Sequence, residues 1–116
     1  RDSPSADGVD FTALTAYAGD DPEAARSILR SFAEQTAGNC AELERALGEG
    51  DAATGKTLAH KMLPIFTMLG AAGIAATLRT AESWEGPLTD ALRGEIGAAA
   101  ENIRAIVAEA EKTLSL

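Results

Sequence analysis

The chain has 116 residues, enough for one compact domain that buries about two thirds of its unfolded surface without staples. Hydrophobic residues make up 46% and aromatics only 4%. Alanine and leucine dominate and hairpin dipeptides are missing beyond Asp7-Gly8, so the composition favours helix over sheet. The net charge of −8 argues against a nucleic-acid partner, and Cys40, the only cysteine, cannot form an internal disulfide, which points to a reducing, cytoplasmic compartment.

Taken in chain order, the polar stretch Arg1-Asp2-Ser3-Pro4-Ser5 has the character of a linker remnant covering residues 1–8, with the domain proper over 9–116. Asp10 is placed to cap a short helix over 11–18, ended by Gly19. Asp20-Asp21-Pro22-Glu23 combines an acidic cap, a proline in the first turn and a further acid near the positive helix end. The helix that follows has Ile28, Leu29, Phe32, Thr36, Cys40, Leu43 and Leu47 spaced by three or four, and Gly48-Glu49-Gly50 stops it. Asp51 caps a helix over 52–69, with Gly70 as its structural stop. A fourth helix spans 72–84 with Ile74, Leu78 and Ala81 on one side, and Gly86-Pro87 breaks it. The last runs over 89–114, capped by Thr89, with Leu92, Ile96, Ala99, Ile103, Ile106, Val107, Ala110 and Leu114 inward. Short connections between long amphipathic helices predict an all-α fold: an antiparallel up-down four-helix bundle with a short additional N-terminal helix. No apolar run approaches the roughly 18 residues that cross a bilayer, so no membrane contact is expected of this domain.

The charge is unevenly spread. Residues 1–50 hold ten acids and four bases, and residues 81–116 hold seven acids and three bases. Residues 51–80 hold one acid, Asp51, against Lys56, Lys61 and Arg79. The one locally basic segment contains His60, the only histidine, an arrangement suited to an acidic partner. On a wheel of about 100° per residue, Leu58, Met62, Ile65 and Leu69 fall opposite His60 and form the expected core stripe. Ala53, Lys56, Pro64 and Thr67 fall on the same side as His60 within about 40°. The imidazole is therefore expected to face solvent from the middle of a small, polar or basic face. Pro64 has no N–H for the carbonyl of His60, a substitution that costs about 3 kcal/mol in a helix interior and frees an acceptor beside the ring. It also keeps that position compact. Cys40 and His60 alone cannot build a zinc site of the usual kind, and no other metal site is expected.

Ala59-His60-Lys61-Met62-Leu63-Pro64, followed by Leu69-Gly70-Ala71, resembles the signature of histidine-phosphotransfer (HPt) domains. Asp20-Asp21-Pro22-Glu23, the Leu29/Phe32 helix, Leu43 and Leu47 before Gly50-Asp51, and Leu78 with Ala81-Glu82 fall where that family's pattern places them, so the resemblance covers nearly the whole chain after residue 8. It implies that His60 is a phosphoacceptor between aspartates of response-regulator receiver domains. It implies too that the domain, whether the tail of a membrane-anchored hybrid sensor kinase or a free protein, is monomeric and has no ATP-dependent activity. No cofactor of its own is implied; the receiver brings Mg²⁺. Many members carry lysine three residues after the histidine and glycine four after. Here these are Leu63 and Pro64, which leaves Lys56 and Lys61 as the candidates for holding the phosphoryl group. Thr57, Leu63, Pro64 and Thr67 are the receiver-docking candidates.

Two rival readings stay open on the sequence. The dimerisation and phosphoacceptor domain of a sensor kinase places an acid directly after its histidine and a proline five after; here Lys61 follows, and Pro64 comes at four. A bundle used only for binding would leave His60 incidental. A hydrolase is the weakest reading, because no acid or serine stands one turn from His60 to orient it or be activated by it.

Overall fold

The structure, a computed structural model, describes residues 11–115, all of whose regular elements are helical. Helix α1 (Thr12–Thr15) runs into a 3₁₀ turn (Ala16–Ala18) and is followed by α2 (Pro22–Glu49), α3 (Ala52–Met68), α4 (Ala72–Glu82) and α5 (Asp90–Ser115). The proposed Asp10 cap and the 1–8 linker lie outside the described residues.

The expected caps form. Asp21 accepts hydrogen bonds from the amides of Glu23 (3.0 Å) and Ala24 (3.3 Å), satisfying donors that the first turn of α2 leaves unpaired. Asp51 accepts from the amide of Thr54 at 3.1 Å and from its hydroxyl at 2.6 Å. The Thr89 hydroxyl accepts from the amide of Leu92 at 3.1 Å. Gly50 and Gly70 close α2 and α3 with φ of 71° and 77°, a left-handed conformation that costs glycine little. The fourth helix is shorter than expected. It ends at Glu82, and the Trp84 ring N–H instead donates to the Pro87 carbonyl at 3.1 Å, tying down the loop before α5.

The four long helices pack in a ring, α2 on α3, α3 on α4, α4 on α5 and α5 back on α2, while α1 and the 3₁₀ turn lie against α2. One contiguous core runs through them, with Leu43, Phe66, Leu69, Leu78, Ile103 and Ile106 wholly buried. Each such side chain contributes about 1.5–3 kcal/mol relative to exposure. The stripe expected on α3 needs correction: Ile65 is only half-buried, whereas Ala59 and Phe66 are fully buried. A helix with two neighbours buries a wider arc than one stripe, and Phe66 turns toward α2, where its ring meets Phe32 edge-on at 6.2 Å. Ile28, Leu47 and Leu114 likewise pack on the margin of the core rather than inside it.

Candidate functional site

His60, near the middle of α3, faces outward because Ala59 and Met62 beside it are drawn inward. Its side chain is 83% exposed, as the wheel requires of a residue opposite the core. The helix continues through Pro64, which is exposed and leaves the His60 carbonyl without its usual amide partner.

The ring has one hydrogen-bond partner among the described residues. Its Nδ1 lies 2.7 Å from Oε1 of Glu82, a half-buried carboxylate at the last position of α4. An ionised carboxylate can only accept, so this contact places the proton of the neutral ring on Nδ1 and leaves the lone pair on Nε2. In that neutral tautomer the bond to Glu82 leaves the unprotonated Nε2 on the far side of the ring from the carboxylate. Sequence reasoning found no acid one turn from His60 and missed this one, which comes from the next helix. A signal was present: His60 and Glu82 lie at equal distance on either side of Ala71, and helices folding back around the Gly70-Ala71 turn bring such positions together.

The other predicted site residues divide. Lys56, Thr57, Lys61, Pro64 and Thr67 are exposed, and Leu63 is half-buried, packed on the margin of the core. Neither lysine makes a hydrogen bond or ion pair among the described residues, so both ammonium groups keep their donors for a ligand. The hydroxyls of Thr57 and Thr67 donate to their own helix, at the carbonyls of Ala53 (3.1 Å) and Leu63 (2.9 Å), so these side chains expose mainly a methyl group. The face around His60 thus carries cations and small apolar groups, and α3 itself contains no acid.

Family models, curated proteins and solved structures contain no match to this chain. The functional argument accordingly rests on the site itself. Among the described residues, no group of three or more His, Cys, Asp or Glu side chains could hold a metal ion, and no helix is long and apolar enough to cross a membrane. Cys40 is buried away from this face, with Sγ 3.3 Å from the Ala100 carbonyl, and burial pushes its thiol pKa up, the reverse of what a reactive thiolate needs.

Proposed function

We propose that the chain is a histidine-phosphotransfer domain, an antiparallel up-down four-helix bundle that carries a phosphoryl group on His60 between receiver-domain aspartates. The observation that carries this reading is the exposed imidazole whose Nδ1 lies 2.7 Å from the Glu82 carboxylate, a contact that in the neutral ring favours the Nδ1–H tautomer and leaves the lone pair on Nε2. In the forward step the Nε2 lone pair attacks the phosphorus of an aspartyl phosphate. An N–P bond forms, the P–O bond to the aspartate breaks, and its electron pair returns to the carboxylate. Nε2 holds no proton that must leave. The phosphorylated ring keeps its proton on Nδ1 and becomes cationic, and the Glu82 carboxylate lies beside that charge. The same step in reverse, onto a second aspartate, empties the carrier.

Positioning and charge neutralisation dominate phosphoryl transfer. Glu82 supplies positioning, while Lys56 and Lys61 supply local positive charge beside the transferred oxygens. The Mg²⁺ and the acidic pocket belong to the receiver partner. The ring of four long helices within one chain disfavours the sensor-kinase dimerisation reading, in which helices from two chains complete the bundle. On this reading the domain acts as a monomer in the cytoplasm, within a hybrid kinase or alone.

The test is incubation with a phosphorylated receiver domain and Mg²⁺. Label is expected on the wild type and absent from His60→Gln; equal labelling of both rejects His60 as the acceptor. Rapid labelling from ATP by a kinase catalytic domain, with no receiver present, would favour the dimerisation-domain reading instead.

A further inference from the structure

A cavity of about 360 Å³ opens at one end of the helix ring, between the start of α3 and the loop that joins α4 to α5. Leu47, Leu88, Leu92, Ile96 and the Trp84 indole make its wall apolar, and the indole N–H is already committed to Pro87. Gly55 lies in its wall. This residue is buried inside α3, yet a Cβ built on it would meet nothing within 4 Å. Alanine would fit and would favour the helix by about 1 kcal/mol. Glycine forgoes that gain and leaves room. Lys56 and Glu85 are the charged residues of the lining.

The cavity opens on the His60 side of the domain. Ala53 and Lys56 line it and also stand on the exposed strip of α3 that carries His60, while Ala81, next to Glu82, lines it from α4. At about 1.5 Å of rise per residue, Lys56 lies about 6 Å and Ala53 about 10 Å along the axis from His60. A protein that covers His60 with a standard footprint of about 800 Å², a disc of about 16 Å radius, covers the cavity mouth too.

Resting on the phosphotransfer reading, we infer that this cavity is the anchor site for the docking receiver, filled by one apolar side chain of the receiver with an acidic group beside it against Lys56. The receiver that brings an acidic phosphorylation pocket to His60 matches the charge of Lys56. Apolar side chains seated in preformed pockets are where interface energy concentrates. Trp84, the only tryptophan, reports directly on the cavity.

The experiment uses a tryptophan-free receiver domain held in its activated form by beryllofluoride and Mg²⁺. On titration into the wild type, Trp84 emission is expected to shift to the blue and to resist acrylamide quenching. Gly55→Leu fills the cavity and is expected to weaken receiver binding at least about tenfold, whereas Gly55→Ala stays within about threefold. Thermal melting checks that both variants fold. Phosphoramidate, a donor that needs no docking, is expected to label His60 equally in all three. Unchanged Trp84 emission at saturation, or wild-type affinity in folded Gly55→Leu, overturns the inference while leaving the phosphotransfer reading intact. A wild type that sediments as a dimer and becomes a monomer in Gly55→Leu assigns the cavity to a second copy and overturns it as well. If no receiver binds or labels the wild type, the phosphotransfer reading fails and the anchor site fails with it.

Discussion

His60 and Glu82 belong to different helices, and their side chains meet at 2.7 Å across the α3–α4 pair, at equal sequence distance on either side of Ala71. That contact sets Nδ1 against the carboxylate and leaves Nε2 on the far side of the ring. Glu82→Ala is expected to lower the rate of transfer from a receiver about tenfold, the size of one charge-assisted hydrogen bond at an exposed site. Glu82→Gln keeps an acceptor and should lose less. Ring ¹⁵N shifts separate positioning from general damage: the neutral wild-type ring should be protonated on Nδ1, and Glu82→Ala should show a mixture of tautomers. A pure Nδ1–H ring in Glu82→Ala would remove Glu82 from the mechanism.

Lys56, on the His60 face, and Lys61, next to His60 in sequence, make no ion pair among the described residues and lie in the one basic segment of an acidic chain. Lys56→Ala with Lys61→Ala is expected to slow receiver association and to flatten its dependence on ionic strength, because steering by exposed charge is screened within about 10 Å at 0.1 M salt. Stopped-flow association at several salt concentrations measures this. Labelling by phosphoramidate should fall far less than labelling by the receiver.

Pro64 interrupts the hydrogen-bond ladder of α3 on an exposed face. Pro64→Ala restores a donor for the His60 carbonyl and should raise stability by about 1–3 kcal/mol, net of the freedom that alanine returns to the unfolded chain. Urea unfolding checks this. If the folded protein gains nothing, the local backbone has already adapted to the proline.

Phe66 is wholly buried and joins α3 to α2 through its edge contact with Phe32. Phe66→Ala should cost about 3–5 kcal/mol, a large share of the roughly 5–15 kcal/mol that holds a domain of this size together. Denaturant midpoints should show the loss, and Phe66→Leu should recover much of it.

Asp51 caps α3, and the hydrogen bond from the Thr54 hydroxyl, joined by that from the Thr54 amide, holds its carboxyl below the ordinary aspartate range. A depressed folded-state pKa means stability that is fully present above the unfolded value, near 3.9, and lost as pH falls through the folded value. Asp51→Asn should therefore unfold with a shallower loss of stability on acidification below about pH 4. Melting temperatures at a series of pH values give the comparison, and parallel curves would contradict it.

Much of this was legible one helix at a time. Asp21, Asp51 and Thr89 announced the starts of α2, α3 and α5, and Gly50 and Gly70 the ends of α2 and α3, because capping depends on residues within a few positions of one another. The outward direction of His60 followed from helical periodicity alone. The inward face of Ala59 and Phe66 did not, since it depends on which two helices α3 touches.

What the sequence determined by itself was a set of amphipathic helices, their ends, and a histidine on the solvent side of one of them, all consequences of local geometry repeated every 3.6 residues. Only the tertiary structure decided that Glu82 holds Nδ1, that the α4–α5 loop and Gly55 leave a cavity beside Lys56, and that the core of α3 spreads over two neighbours. Those features join residues far apart in the chain, and the close packing of side chains between helices sets them.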